Sequence, residues 1–173
     1  MESTIYYQIY ESPLGPLFLA GDEGKLYMCD WYACKTFCRN LKRVVHSTGA
    51  ELCNKDSALL KEVKFELNEY FNRKRTTFDI QISFIGSDFQ KSVWNALISI
   101  PYGKTKSYAE IARLIGRPTS TRAVANAIGA NPLSILVPCH RVIGSNGSLT
   151  GYAGGLNAKK LLLNIEFMRH VTI

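Results

Sequence analysis

Long apolar runs are missing from this sequence of 173 residues, and nothing in it approaches the roughly 20 apolar residues of a membrane helix. The first ten residues alternate like a strand, without the basic region and apolar core of a secretion signal. Glycine-rich strand-to-helix turns of the nucleotide-binding type are missing as well. We therefore expect a cytoplasmic protein that uses neither a membrane nor a nucleotide cofactor.

The cysteines also lack the regular spacing of a metal-binding motif. The five cysteines are an odd number in a chain long enough to pack without disulfides, which indicates reduced thiols. Cys29, Cys34, Cys38 and Cys53 all lie in the first half, and thiolates are good zinc ligands. Their spacing lacks the paired short gaps of a zinc finger, so buried or incidental thiols are the preferred interpretation and we predict no metal.

Excess charge is absent from the first half of the chain. Its 86 residues carry eleven basic and eleven acidic side chains, whereas the residues from Ser87 onward carry ten basic and three acidic ones. All of the net charge of +7 therefore belongs to the second half. A phosphate-binding face would need such an excess, although an ordinary basic surface explains the same count.

Apolar periodicity divides the chain into two predicted domains, residues 1–86 and 87–173. In the first domain, alternation between turn residues predicts a small antiparallel meander. Three- and four-residue apolar steps then predict a helix capped by Asp56 or Ser57. The predicted strands are 5–10, 17–20, 26–31 and a later one over 78–84.

The second domain is predicted to be mainly helical. Two capping boxes, Ser87 with Gln90 and Ser107 with Glu110, mark helix starts, and a third helix covers about 120–129. The second and third helices, joined by a tight turn, indicate a helix-turn-helix. The third is rich in alanine with Arg122 as its one long cation, which favours close, non-specific contact with nucleic acid over base reading. The alternative is a small-residue helix packed in a core, with Arg122 merely exposed.

A thiol, an imidazole and a guanidinium stand together at Cys139, His140 and Arg141, after an apolar run over 134–137 that is predicted to be extended. A thiolate is a nucleophile, and nearby positive charge and a base favour its formation. Adjacent side chains normally point apart, so we expect His140 to reach Cys139 through a water. Taken alone, the Cys-His dipeptide is more often explained by an inert buried thiol.

A carboxylate, Glu166, is predicted at the edge of a last helix that Asn157 caps and that runs through Met168. Pairing with His140 would orient the imidazole and raise its basicity. The alternative is a half-exposed Glu166 bridged to Lys159 or Arg169. The predicted inward face of this helix is Ala158, Leu161, Leu162, Ile165 and Met168.

The run Pro138-Cys139-His140-Arg141-Val142, preceded by Asn131-Pro132 and followed by Gly154-Gly155, resembles the signature of the O6-alkylguanine-DNA alkyltransferases. The resemblance covers nearly all of 87–167, but in the first half only the length, the strand pattern and the Ser12-Pro13-Leu14-Gly15 turn. It implies an α+β fold with a ribonuclease-H-like antiparallel sheet domain and a mainly helical, winged-helix-like domain containing the helix-turn-helix.

The resemblance also implies roles for individual residues. Cys139 matches the alkyl acceptor, His140 the base that acts through water, Glu166 the carboxylate that orients it, and Asn131 a residue that holds the active-site turns. Tyr108 matches the phenol that hydrogen-bonds the purine and helps it leave as neutral guanine.

The remaining implied roles concern DNA and the alkyl pocket. Arg122 matches the side chain that enters the duplex where the damaged base has flipped out, with the helix-turn-helix in the minor groove. Arg117 and Ser145 match positions near the DNA backbone. The implied pocket walls are Val142, Tyr152 and Ala153, the last a departure from relatives that carry serine.

The implied activity is repair of double-stranded DNA by a monomer that transfers a methyl or other alkyl group to Cys139. The group comes from O6 of guanine, and also from O4 of thymine, in one irreversible event without cofactor. One alternative is a non-catalytic alkylation-damage binding protein, against which the presence of Cys139 argues. A methylation-sensing regulator fused to a metal-binding domain and a cysteine hydrolase are further alternatives.

Overall fold

The structure, a computed structural model, describes residues 3–32 and 34–168. The chain divides between Ile85 and Gly86 into two compact units. The first unit contains a four-stranded, mainly antiparallel sheet and the second is mainly helical, which confirms the predicted α+β class. Among the described residues, no helix has the length and apolar character needed to cross a membrane.

The first unit is built on a four-stranded sheet in the order β3-β2-β1-β4. The strands are β1 (Thr4–Ser12), β2 (Gly15–Gly21), β3 (Leu26–Trp31) and β4 (Glu51–Cys53). β1, β2 and β3 form the predicted antiparallel meander, and β4 pairs parallel with β1. The sequence reading missed β4, because three residues are too few to show a period of two.

Two helices complete this unit, α1 (Phe37–Thr48) and α2 (Ala58–Phe71). Ser57 caps α2 by accepting a hydrogen bond from the Leu60 N–H (3.2 Å), as predicted. α1 was not predicted, because one of its three buried residues is polar and interrupts the apolar period. That residue, Asn40, donates from Nδ2 to the buried Asp30 (2.9 Å).

The strand predicted over 78–84 is not formed, and that prediction was wrong. The segment makes one isolated bridge, between Leu26 and Ile82. The Leu26 N–H donates to Gln81 O and its carbonyl accepts from the Ser83 N–H, both at 2.9 Å. The segment thus meets the start of β3 at a single residue, which is not enough for a ladder.

The second unit contains the predicted helices and a two-stranded parallel sheet. Both capping boxes are present, at Ser87–Gln90 and Ser107–Glu110. Trp94 ties the first helix to the third by donating from Nε1 to Ala127 O (2.8 Å). The elements are α3 (Asp88–Ile98), β5 (Lys106–Ser107), α4 (Tyr108–Leu114), α5 (Thr121–Gly129), a 3-10 turn (Cys139–Arg141), β6 (Val142–Ile143) and α6 (Leu156–Phe167).

The exposed face of α5 consists mainly of small residues. Val124, Ala127 and Ile128 are buried, whereas Arg122, Ala123, Asn126 and Gly129 are exposed. α5 therefore packs one face into the core and exposes small residues on the other. The exposed surface of α5 is formed mainly by short side chains, and Arg122 is the one long side chain on it.

The segment 134–137 is a tight turn, so the predicted extended conformation was wrong. Leu136 N donates to Ser134 O and Val137 N to Leu133 O, both at 2.9 Å. Ile135 adopts φ of 73°, which is rare for a β-branched residue. A short continuous apolar run does not reveal the backbone conformation, because a buried turn and a buried strand look alike in sequence.

The buried face of α6 differs from the predicted one by one position. α6 begins at Leu156 after Gly155 (φ 89°), so Asn157 does not cap it. Leu161 and Met168, predicted to face inward, are 37% and 58% exposed. The face that is buried consists of Ala158, Lys159, Leu162, Leu163 and Glu166. Two charged side chains therefore lie on the buried face, Lys159 and Glu166, the second of which was predicted at the edge of that face.

Candidate active site

Cys139 opens the 3-10 turn and is 5% exposed. Its backbone N–H donates to Val137 O (2.8 Å). The buried Asn131 holds both ends of the preceding turn, over 133–137: Nδ2 donates to Val137 O (2.9 Å) and Oδ1 accepts from the Leu133 N–H (3.0 Å). Asn131 therefore has the contacts of a residue that holds the active-site turn.

His140 and Glu166 form a fully buried pair. Nε2 of the imidazole lies 2.7 Å from Oε1 of the carboxylate, and both side chains are 0% exposed. Burial lowers the pKa of His140 and outweighs the effect of Glu166, which raises it. The lowered pKa favours the neutral ring. A carboxylate only accepts, so Nε2 carries the proton and donates to Glu166, and Nδ1 is left as an acceptor. Nδ1 has no hydrogen-bond partner among the described residues, which leaves it able to take a proton.

Arg141 holds the same carboxylate from the other side. Nε donates to Glu166 Oε2 (2.9 Å), Nη2 to Oε1 (3.0 Å) and Nη1 to Ile100 O (2.6 Å). The Gly103 N–H adds a further bond to Oε2 (3.3 Å). Burial alone raises the pKa of Glu166, but the hydrogen bonds and charges of His140 and Arg141 outweigh it and lower that pKa to about 2. Glu166 is therefore a permanent carboxylate between two basic groups.

The Arg141–Glu166 contact was missed by the sequence reasoning, which treated Arg141 only as positive charge near the thiol. The alternative partner Lys159 bonds elsewhere, to Thr150 O (2.8 Å), and Arg169 lies outside the described residues. Glu166 lies on the buried face near the end of α6 and is 0% exposed, which explains why it pairs with buried groups and not with a surface cation.

A small cavity of about 10 Å³ lies beside Cys139. This is roughly the space that one water-sized probe needs. Tyr152 and Ala153, two of the three predicted pocket walls, line it, whereas Val142 is buried in β6 and pairs with Lys106. The lining residues are Ile128, Gly129, Asn131, Cys139, Gly151, Tyr152 and Ala153.

Tyr108 and Lys159 meet at one carbonyl. The Tyr108 hydroxyl donates to Thr150 O (2.9 Å), and Lys159 Nζ donates to the same atom (2.8 Å). Lys159 is 0% exposed. No role was assigned to it from the sequence, yet it lies seven residues before Glu166 and shares its helix face, a spacing from which its burial could have been inferred.

Of the four residues predicted to meet DNA, Arg117, Arg122 and Ser145 are exposed and Tyr108 is half-buried. Arg117 lies in the turn between α4 and α5, Arg122 is the second residue of α5, and Ser145 follows β6. All five cysteines carry free thiols. Over residues 3–32 and 34–168, no group of three or more His, Cys, Asp or Glu side chains could hold a metal.

Comparison with known families assigns both units. Residues 5–84 match the family described as 6-O-methylguanine DNA methyltransferase, ribonuclease-like domain. Residues 88–168 match 6-O-methylguanine DNA methyltransferase, DNA binding domain. The class is thus a ribonuclease-like domain followed by a DNA-binding domain, as predicted, and the second of these contains the buried thiol.

Individual relatives agree over nearly the whole chain. A methylated-DNA–protein-cysteine methyltransferase of Methanosarcina acetivorans is 45% identical over 94% of this chain and 98% of its own. One of Mycobacterium tuberculosis is 44% identical over 95% and 94%. The crystal structure of Mycobacterium tuberculosis OGT in complex with DNA superposes with a TM-score of 0.83 at 41% identity, covering 95% of this chain and 94% of that one. This chain belongs to the methylated-DNA–protein-cysteine methyltransferase family, which confirms the resemblance.

Proposed function

We propose that this protein repairs alkylated DNA by taking a methyl or other alkyl group from O6 of guanine onto Sγ of Cys139. The observation that carries the proposal is the buried Cys139 beside a methyl-sized cavity, followed in the chain by His140 with its free acceptor nitrogen. Family membership supports the same chemistry.

The reaction follows from the positions of these groups. Sγ attacks the alkyl carbon, the bond between that carbon and O6 breaks, and its electron pair goes to the purine. His140 accepts the thiol proton at Nδ1, directly or through one bridging water. In the structure the Tyr108 hydroxyl donates to Thr150 O; in the reaction it gives its proton to the purine, so that guanine leaves neutral. The phenolate then regains a proton from the imidazolium of His140, which carries the proton of the thiol. Glu166 compensates the imidazolium while it exists.

The chemistry of the alkylated product explains why the protein does not turn over. A thioether carries no leaving group that a second nucleophile or water displaces readily, so Cys139 stays alkylated. Each molecule therefore acts once and is consumed. The alkyl group comes from the DNA itself, so the reaction needs no cofactor.

DNA engagement is assigned to the exposed face of α5. Its small residues allow close approach to a minor groove, and Arg122 is long enough to occupy the space of a flipped base. Arg117 and Ser145 are exposed on neighbouring turns and are suited to the phosphate backbone. The partner is double-stranded DNA that carries O6-alkylguanine or, less readily, O4-alkylthymine, bound by a monomer.

The test is the intact mass of the protein after mixing with excess duplex that contains one O6-methylguanine. We expect one added methyl per molecule and no second one, the same gain in the control Cys38→Ala, which removes an exposed thiol, and none in Cys139→Ala. If the wild-type mass stays unchanged while the damaged duplex is bound preferentially, the protein is a damage binder and the proposal fails.

A further inference from the structure

A tight turn between α3 and β5 contacts the carboxylate of Glu166. The Lys104 N–H donates to Pro101 O (3.1 Å) and closes the turn, and Gly103 at its third position has φ of 74°. Glycine adopts a positive φ at that position without steric cost. The Gly103 N–H donates to Glu166 Oε2 (3.3 Å). The backbone of the turn is therefore fixed on the carboxylate that faces His140.

Tyr102 is the second residue of this turn and is half-buried. Cζ of Arg141 lies 5.7 Å from the centroid of its ring, which is within the range of a cation–π attraction. Such an attraction is stronger where the cation is removed from water, and Arg141 is 7% exposed. The Tyr102 hydroxyl donates to Ile165 O (3.3 Å) in the last turn of α6. Tyr102 therefore contacts both the guanidinium that binds Glu166 and the backbone next to Glu166.

The orientation of the Glu166 carboxylate depends on these contacts. Oε1 is shared between His140 Nε2 (2.7 Å) and Arg141 Nη2 (3.0 Å). Oε2 is bound by Arg141 Nε (2.9 Å) and by the Gly103 N–H. Three of these four bonds come from Arg141 or from the turn, and loss of the two Arg141 bonds would allow the carboxylate to rotate away from Nε2. The position of Arg141 therefore determines whether Glu166 stays aligned with the imidazole.

We propose that Tyr102 is a positioning residue of the alkyl-transfer site: its ring holds the guanidinium of Arg141 on Glu166, and its hydroxyl anchors that ring to the end of α6. A tight turn accepts most residues at its second position, so the turn itself does not require an aromatic side chain there. The proposal rests on the proposed function insofar as His140 is the base of the transfer. Tyr102 acts on that base through Arg141 and Glu166.

Two substitutions separate the ring from the hydroxyl. Tyr102→Phe keeps the ring and loses the hydrogen bond to Ile165 O, whereas Tyr102→Leu loses both. Val93→Ala is the control for lost packing, because Val93 is a fully buried residue of α3 in the same unit and its truncation changes neither the turn nor Arg141. Circular dichroism and thermal unfolding establish that each variant is folded.

The first readout is the single-turnover rate of methyl transfer from duplex, measured with and without the base. We expect Tyr102→Leu to lower this rate about tenfold, because a misaligned base is costly, and Tyr102→Phe to lower it about twofold, because the ring that holds Arg141 remains. In His140→Gln, which keeps a donor to Glu166 and loses the base, the further change Tyr102→Leu should have no effect. A merely structural role would lower the rate by the same factor in both backgrounds.

The second readout needs neither DNA nor activity. It is the exchange of the Arg141 Nε–H with water, followed by NMR, because a donor held on a buried carboxylate exchanges slowly. In Tyr102→Leu this exchange should be about tenfold faster relative to the backbone amides of α6. The same ratio should stay at the wild-type value in Val93→Ala, since a general loss of stability speeds both kinds of exchange.

An unchanged exchange ratio in a folded Tyr102→Leu protein would overturn the proposal. So would equal losses of rate in Tyr102→Phe and Tyr102→Leu, since the ring would then contribute nothing. If the wild-type protein takes up no methyl from DNA, the proposed function fails, and the exchange ratio still shows whether Tyr102 holds Arg141. If the wild type is methylated and Tyr102→Leu keeps its rate, only the role of Tyr102 fails.

Discussion

Each unit of the molecule buries one cysteine, and the two thiols differ in their neighbours. Cys29 is 0% exposed and Cys139 is 5% exposed. Burial, together with the adjacent Asp30, raises the pKa of Cys29 far above its ordinary value. Cys139 is followed by two basic residues, His140 and Arg141. Burial therefore does not distinguish the proposed acceptor thiol from Cys29, whereas the sign of the neighbouring charge does.

The buried carboxylates repeat this contrast. Burial raises the pKa of Asp30, with partial offsets from hydrogen bonds of Asn40, the Trp31 N–H and Cys34. Glu166 is equally buried, yet its pKa is lowered, because Arg141 and His140 contact it. Asp30 is thus surrounded by neutral donors, whereas Glu166 is contacted by two bases.

The largest expected difference between the two units is in activity. Cys139→Ala should abolish methyl uptake, whereas Cys29→Ala should retain the wild-type transfer rate and lose about 1–2 kcal/mol of stability through a small core cavity. Methyl transfer from labelled duplex and urea unfolding measure the two effects. Loss of transfer in a folded Cys29→Ala protein would contradict the separation of roles.

The second-largest expected difference is in the loss of protein stability when Glu166 or Asp30 is replaced by its amide. Glu166→Gln leaves the guanidinium of Arg141 buried without its counter-charge, and we expect a loss of about 3–5 kcal/mol. Asp30→Asn should cost less than about 1 kcal/mol, because a neutral amide replaces a carboxylate that has neutral partners. The buried Oδ1 of Asn40, which has no partner in the described part of the chain, could accept from the new amide. Urea unfolding of both variants is the measurement, and equal losses would refute the contrast.

The acid dependence of stability should have opposite signs in the two units. Because the pKa of Glu166 is lowered to about 2, its stabilisation is complete above its ordinary pKa of 4.5 and is lost as the pH falls toward 2. The lowered pKa of His140 acts in the same direction below 6.5, since only the unfolded chain takes up that proton readily. The raised pKa of Asp30 acts against them, because the folded state then binds the proton better.

Unfolding free energies between pH 3 and 7 test this sign. In Glu166→Gln the loss of unfolding free energy on acidification should be smaller than in the wild type, by about 3 kcal/mol at most. In Asp30→Asn that loss should be slightly larger, because the group that opposes it has been removed. A steeper loss in Glu166→Gln would show that Glu166 is not held as a carboxylate.

The smallest expected effect concerns two exposed arginines, one in each unit. Arg122→Ala should lower repair of duplex about tenfold, because the flipped base no longer has a side chain to replace it. Stability should change by less than about 0.5 kcal/mol. Arg39→Ala, the control in α1, should leave duplex repair unchanged. Transfer rates from duplex and from the free O6-methylguanine base distinguish the two, since only duplex repair should depend on Arg122.

Features with a local chemical cause were predictable from the sequence. Ser87 and Ser107 begin their helices where the capping boxes were identified, because that cap is made within four residues. β1 to β3 followed from alternation between turn residues. The contact of His140 with Glu166 was expected, and it is present. The roles of both residues in transfer remain predictions.

Apart from the His140–Glu166 pair, features that depend on buried polar groups were not predicted. Lys159 and Glu166 lie on the buried face of α6, so a rule that turns apolar residues inward placed that face one position away. Arg141 and Glu166 are 25 residues apart, and no local pattern connects them. Asn40 interrupts the period of α1 for the same reason. In each case a partner that is distant in sequence makes burial of a polar side chain favourable.

Two opposing free-energy contributions of similar size act on the turn before Cys139. A β-branched residue at φ of 73°, as at Ile135, carries about 1–3 kcal/mol of backbone strain. Burial of the same side chain, which is 1% exposed, contributes about 1.5–3 kcal/mol. Glycine there would relieve the strain and lose the packing, and alanine would keep the strain and lose most of the packing. Even conservative substitutions of Ile135 should therefore destabilise the turn. Because Cys139 follows four residues later, such substitutions should also change the position of its thiol.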